Sequence, residues 1–454
     1  MSVKQHSRLY LPLATAAVVG LALTGCTGDV TASSTSSSNC AAYASYGTFT
    51  GSPEVKIGGT IQDVEADRLV ASWADFQSCT GIKVTYQGTK EFEAQIAVLA
   101  EGGNAPDIGI IPQPGLFNKL AASGFLKKAP AAVEANVDKW WSKDWKGYGT
   151  APDGTFYAAP LMASVKGYVW YSPSEFKAKG YEIPKTLDEL TALTAKIAVA
   201  GDHKPWCAGV GSGDATGWPG TDWVEDYVLR QAGADTYDKW VTHKIPFNDP
   251  AIVKAFDSVG AILKNPADVN GGLGDVSSII STAFGDAGLP ILDGKCSLHH
   301  QASFYEGFWK KADGSAVTVS PTGDVYAFLL PPVKAGGDQA VTGGGELVGA
   351  FKSSDQITAV LSYLSSDTWA NNRVKEGGVI SANTGLDPAN ASSDLLKQSI
   401  TILQDPKTVF RFDGSDLMPG AVGTDSFWKG IVSWLSGDSS QKVTDTIEAS
   451  WPKS

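Results

Sequence analysis

The chain predicts an α/β fold built on doubly wound parallel sheet, and three observations carry that reading. Apolar residues switch repeatedly between alternating runs and helical spacing. Residues 58–111 read as strand, helix, strand, helix, strand. The 454 residues also exceed what one hydrophobic core holds, so two or three domains share the chain. Taken in order, residues 60–64 form a short strand-like run, after which Leu69, Trp73 and Phe76 recur at helical spacing until Gly81 stops the helix. Ile82, Val84 and Tyr86 alternate as a strand does. Thr89 can cap a second helix with Phe92, Ile96 and Leu99 on one face; Gly102 and Gly103 end it, and residues 107–111 make a third strand. Sheets of this type bind ligands beyond the carboxyl ends of their strands. Those ends fall at Glu65, at Thr89 and Lys90, and at Pro112 and Gln113.

A second region opens after Tyr157. Residues 167–171 form an apolar strand broken by Ser172-Pro173, and Thr186 with Glu189 makes a capping box for the next helix. Residues 209–220 are a Gly-rich loop carrying Trp218, and residues 222–231 read as the helix after it. Residues 325–330 are a late strand, Gly343-Gly344-Gly345-Glu346 reads as a flexible crossing, and residues 357–369 and 427–435 are amphipathic helices. No internal repeat is visible.

The start of the chain points to export. Lys4 and Arg8 precede an apolar run over residues 9–23, too short for a bilayer span, which closes on Leu23-Thr24-Gly25-Cys26. Residues 1–25 therefore read as a signal peptide with a lipobox-like end, and Cys26 as the lipidated first residue of the mature chain. Residues 26–53 read as a tether, because the Ser, Thr, Gly and Ala of 27–39 cannot bury a core. The expected location is the outer face of the cell membrane, or the periplasm, with the lipid as the only membrane contact.

Loss of Lys4 and Arg8 moves the net charge from −12 to −14. Nucleic acid and anionic lipid want a basic face, and the basic residues here cluster no further than pairs such as Lys127-Lys128. Four cysteines remain after Cys26: Cys40, Cys79, Cys207 and Cys296. An even count in an oxidising compartment suggests two disulfides, and four cysteines allow three pairings. Nearest-neighbour pairing joins Cys40 to Cys79, stapling the tether to the first helix, and Cys207 to Cys296, tying two loops. No Cys-x-x-Cys spacing supports a metal site. Residues 288–295 lack the glycine spacing and the Ser or Thr of a phosphate loop. His299 and His300 would face opposite ways on a strand, and Ser212 has no nucleophile elbow around it.

Several segments together resemble the extracytoplasmic solute-binding proteins of bacterial ABC transporters, in the carbohydrate-binding family that includes maltose-binding protein. They are Thr80-Gly-Ile-Lys-Val, Ala105-Pro-Asp-Ile, Ser123-Gly-Phe-Leu, Tyr157-Ala-Ala-Pro-Leu and Val169-Trp-Tyr. Four further segments, Gly217-Trp-Pro-Gly-Thr-Asp-Trp, Gly294-Lys-Cys-Ser-Leu-His-His-Gln-Ala-Ser-Phe, Ile380-Ser-Ala-Asn and Asp416-Leu-Met-Pro with Phe427-Trp428, resemble the alpha-glucoside-binding subgroup. The resemblance covers nearly all of residues 55–437. It implies a periplasmic-binding-protein type fold: two doubly wound α/β lobes, a hinge, and a ligand cleft between them. The implied division is an N-terminal lobe of 54–165 and 344–388 and a C-terminal lobe of 166–343 and 389–454. It also implies a monomer that delivers a di- or oligosaccharide to the permease subunits, with no cofactor, no metal and no catalysis.

A neutral sugar offers hydroxyls, which carboxylates and amides grip, and an apolar face, which aromatic rings cover. On the N-terminal side the candidates are Glu65 and Asp67, which could equally complement a helix dipole; Lys90, a donor or a solvated side chain; and Gln113, where maltose-binding protein places an acid nearby. On the C-terminal side they are Trp218, Asp222 and Trp223 at the start of a helix, Gln301 and Phe304 after the Cys296 strand, and Trp428. For the rings, core packing is the ordinary alternative. Glu346 in the glycine crossing completes the set. A secreted glycoside hydrolase is the rival reading, since it too uses acids and aromatics; an adhesion scaffold is a third, for which no repeat or broad apolar face speaks.

Overall fold

A computed structural model describes residues 40–337, 339–405 and 407–453. The signal segment, Cys26 and the tether up to residue 39 lie outside the described residues. Six strands form one sheet: β1 (Glu54–Gly59), β2 (Lys83–Gly88), β3 (Ile108–Ile111), β4 (Ala158–Val165) and, after a long excursion, β10 (Ala340–Ala350) and β11 (Val409–Phe412). The excursion supplies the second sheet, from β5 (Tyr168–Tyr171), β6 (Lys204–Cys207), β7 (Val269–Asn270), β8 (Cys296–Gln301) and β9 (Tyr326–Leu329).

In the first sheet the order is β11-β10-β3-β1-β2, with β4 also paired to β10. β1, β2 and β3 are parallel, with Ile57 opposite Tyr86 and Ile108, as the alternation predicts. β10 runs antiparallel to β3, so the sheet is mixed. The second sheet has the order β7-β6-β8-β5-β9. Each sheet has its own core: Val55, Ile57, Phe76, Ile108 and Tyr363 pack under the first, and Val169, Trp206, Trp223, Tyr227 and Phe256 under the second.

The structure moves several elements. The first strand lies at Glu54–Gly59, not at 60–64, because the Val55 and Ile57 alternation sits upstream of the glycines. The first helix is two, Asp63–Ala71 and Ala74–Thr80, broken at Ser72-Trp73, with Gly81 left-handed at φ 78° as the stop. Thr89 holds the turn before the next helix, its Oγ1 accepting from Glu91 N at 3.2 Å, and the helix runs Phe92–Glu101. Residues 357–369 belong to two helices, because Ser366 caps the second by accepting from Trp369 N. Residues 40–53, read as tether, are docked: Cys40–Tyr46 is a 3-10 helix whose Tyr43 and Tyr46 pack on Phe76 and Tyr363.

Both expected disulfides are present. Cys207 and Cys296 lie on neighbouring strands β6 and β8 rather than in loops. His299 and His300 do point oppositely on β8, the first to Cys207 O at 3.0 Å and the second to Asp226 at 2.7 Å.

The chain passes between the sheets near residues 165–168, 330–340 and 412–414, and β11, within the segment 389–454, belongs to the first sheet. The glycines at 343–345 are strand, paired to Val165, Ser164 and Ala163. A Cβ on Gly343 would stand 2.6 Å from Ser164 O, and one on Gly345 2.3 Å from Met162 O. Close approach of β4 and β10, rather than backbone freedom, requires glycine there.

Candidate functional site

A cavity of about 870 Å³ is lined from both halves of the molecule, a size suited to a small organic ligand. One wall follows the carboxyl ends of β1 and β3 and the middle of β10. Glu65 enters it from the helix Asp63–Ala71, Glu93 from Phe92–Glu101, and Gln113 from the end of β3. Glu346 reaches it at a bulge in β10, where the pairing with β4 shifts between Gly345 and Leu347 and turns the side chain inward. The opposite wall is aromatic. Trp218 opens the helix Trp218–Ala232, with its ring 5.0 Å from Phe284 and 6.2 Å from Phe304; Phe308 lies 5.4 Å from Phe284 and 6.0 Å from Phe304. Trp428 begins the helix Trp428–Leu435 after a π-helical turn, and its Nε1 has no hydrogen-bond partner among the described residues.

Burial and the neighbouring Glu65 carboxylate push Glu346 up to about 7. Burial likewise lifts Glu93 to about 7 although Gln113 Nε2 donates to it at 2.9 Å. Burial raises Glu65 too, and Arg373 and Arg68 offset only part of that. Each carboxyl is thus poised to be completed by a hydroxyl, donating when protonated and accepting when not.

The floor is a buried ion cluster. Lys166, from the first crossing, donates to Asp222 Oδ1 at 2.8 Å and to Asp413. Burial alone would lower its pKa, but those two carboxylates raise it well above the ordinary lysine value. Burial would lift Asp413 as well, yet Lys166, Ser415 Oγ and Asp416 N hold its carboxyl below the usual range. Asp222 is lifted well above that range by burial, which Lys166 only partly offsets. Asp413 Oδ1 accepts from Asp416 N at 3.0 Å and so sets the short turn Gly414–Leu417, from which Asp416 faces the cavity. Asp222, Glu225 and Asp413 have ligand atoms within 4.8 Å of one another, as a metal site would. Their oxygens are already engaged, however: Lys166 holds two of the three, and Glu225 accepts from Gly414 N and Ser415 N.

Of the residues expected at a cleft, Glu65, Lys90, Gln113, Trp218, Phe304, Glu346 and Trp428 line this cavity. Four do not. Asp67 is one turn beyond Asp63 on the outer side of its helix and lines a shallow neighbouring depression with Val70 and Tyr86. Asp222 lies behind the floor, held by Lys166. Trp223 is core, 4.9 Å from Trp206 and 4.3 Å from His300 between ring centroids. Gln301 is buried and accepts from Ala302 N at 2.8 Å. Glu93, Lys166, Phe284, Phe308 and Asp416 are lining residues that sequence reasoning missed. Asp416 sat in a quoted motif, whereas Phe284 and Phe308 sit in segments without periodicity.

The two rims meet at the cavity mouth. Lys90 Cδ lies 3.8 Å from the place a Cβ would take on Gly213. Beside it, Glu91 and Asp214 are neighbouring carboxyls, and Asp214 raises the Glu91 pKa.

Two sheets with a cavity lined from both halves suit the capture of a small ligand. The chain matches the family described as bacterial extracellular solute-binding protein over residues 62–371, and it belongs to that family. It is similar to the alpha-glucosides-binding periplasmic protein AglE of Rhizobium meliloti (strain 1021), 39% identical over 394 residues, 84% of this chain and 82% of the relative. It is also similar to the osmoprotective compounds-binding protein GgtB of Synechocystis sp., 35% identical over 408 residues, 88% and 93% of the two chains. Among solved structures, the bacterial solute receptor AcbH matches with TM-score 0.74 at 18% identity, over 88% of this chain and 98% of the other. Maltose-bound MalE3 of T. maritima matches with TM-score 0.68 at 16% identity, over 87% and 98%. The fold is that of the periplasmic sugar-binding proteins, and the protein is an exported solute-binding component of a bacterial ABC transporter. Family membership sets aside the hydrolase and scaffold readings.

Proposed function

We propose that the protein captures an alpha-glucoside of two or a few sugar units and delivers it to the permease of an ABC importer. The observation that carries this reading is one cavity with carboxyls and an amide on one wall (Glu65, Glu93, Gln113, Glu346) and rings on the other (Trp218, Phe304, Trp428). Hydroxyls suit the first and a sugar's C–H face the second. The kinship with an alpha-glucosides-binding relative supports the choice of sugar class. In this reading residues 54–165 and 344–388 form most of one lobe, residues 166–343 and 389–454 most of the other, and sugar favours the closed arrangement of the hinge. The mature chain acts as a monomer held to the outer face of the membrane by lipid on Cys26.

Calorimetric titration with mono-, di- and trisaccharides, followed by product analysis, tests the proposal. Micromolar binding of an intact alpha-glucoside is the expected result. Absence of binding across the panel overturns the sugar assignment, and binding of a non-glucoside osmolyte in its place redirects it.

A further inference from the structure

One cavity-lining side chain joins its own helix to two other parts of the fold. Arg68 belongs to the helix Asp63–Ala71, next to the first sheet. A Cβ built on Gly307 would stand 2.7 Å from Arg68 Nη1, and one built on Gly378 would stand 2.6 Å from it. Gly307 is in the 3-10 segment Ser303–Phe308 that follows β8 of the second sheet. Gly378 precedes the bridge that Ile380 makes with Ala163. One guanidinium nitrogen therefore sits against two glycines that leave it room, and a second contact between the two sides of the cavity is made here.

Charge favours the seat. Glu65 flanks the guanidinium on its own helix. Glu306 does so from the facing segment, where Ser393 Oγ donates to its carboxyl at 2.7 Å. Arg68 pulls the pKa of both acids down against the burial that raises them. A planar guanidinium packed on two glycines, with an acid on each opposing wall favouring its charge, is a good plug, because no covalent or backbone constraint keeps it there.

We propose that Arg68 is a length gate: seated on Gly307 and Gly378, it closes one end of the cavity and restricts the site to short ligands. This rests on the alpha-glucoside reading above. A disaccharide fits between the walls with Arg68 in place. A longer chain has to displace the guanidinium from both glycines, and it loses affinity accordingly.

The test is a length series of maltose, maltotriose and maltotetraose, titrated against the full chain and two variants. Arg68→Ala removes the plug. Gly307→Ala keeps its charge and pushes it off its seat; Gly307 is not a positive-φ glycine, so alanine adds a methyl without backbone strain. The wild type is expected to prefer maltose over maltotetraose by about tenfold or more, and both variants to shrink that ratio to within about threefold. Equal weakening of all three sugars by Arg68→Ala makes Arg68 a plain ligand contact and overturns the gate, as does a ratio that neither variant moves. A wild type that binds no member of the series overturns the reading on which the gate rests.

Discussion

The two walls of the cleft are built on different principles. The wall after β1, β3 and β10 presents carboxyls that burial holds near neutrality, Glu346 and Glu93 at about 7. The wall from the second half presents rings already packed on one another, with Trp218, Phe284, Phe304 and Phe308 at centroid separations of 5.0–6.2 Å. An acid in this setting is a cost to the empty protein, recovered only when a ligand completes its hydrogen bonds. A ring shelf is preorganised and costs nothing to keep empty beyond its exposed area. Affinity and stability should therefore respond in opposite ways on the two sides, and five substitutions can sharpen or break that contrast.

The largest effect is expected at the floor where the walls join. Lys166→Met leaves Asp222 and Asp413 as buried carboxyls without their cation, and removing one partner of a buried pair costs about 3–5 kcal/mol. Denaturant unfolding measures this; a loss below about 1 kcal/mol would mean that the floor is wet and the pairing weak. Neutralising both acids in the same chain should recover part of the loss.

Next comes the ring wall. Trp218→Ala should weaken sugar binding by about tenfold, since a stacked ring contributes on the order of 1 kcal/mol beyond its buried area. Trp223→Phe, five residues on but in the core, should instead lower stability by roughly 1–3 kcal/mol and leave Kd unmoved. Equal effects of the two on Kd would erase the distinction between shelf and core.

The acid wall is read through pH. Glu346 is protonated in folded and unfolded chains below about pH 4.5. Between there and about 7 the unfolded chain releases a proton that the folded one retains, so the stability of the empty protein falls over that window. Glu346→Gln should flatten that fall by on the order of 2 kcal/mol, visible in melting temperatures measured from pH 4.5 to 7.5. An unchanged slope would move the burden to Glu93. The smallest effect is expected at Asp67, outside the cavity: Asp67→Asn should shift Kd by less than about twofold, as for ordinary surface changes.

Local pattern made some of this legible. The alternation of Ile82, Val84 and Tyr86 marked β2, and Gly81, Thr186 and Glu189 marked helix ends that the structure reproduces. The acids and rings at strand ends and helix starts were legible as candidates because an α/β sheet exposes those positions. Depth along one helix was not. Trp218, Asp222 and Trp223 share the helix Trp218–Ala232, where four residues complete about one turn. Asp222 thus stays on the face of Trp218 but a turn deeper, behind Lys166, and Trp223 rotates into the core. Pairings made across the chain were also invisible: Lys166 and Asp413 are 247 residues apart, and only the folded crossing segments join them.

The bond between Cys40 and Cys79 also sets a path for force. Residues 40–46 rest on Phe76 and Tyr363 through aromatic contacts, which a steady pull from the N-terminal side could peel one by one. The disulfide is met before any of them and hands that pull to the helix Ala74–Thr80, inside the first half of the body. Tension along the N-terminal segment therefore enters the body at that helix, beside the first sheet, and not at the second.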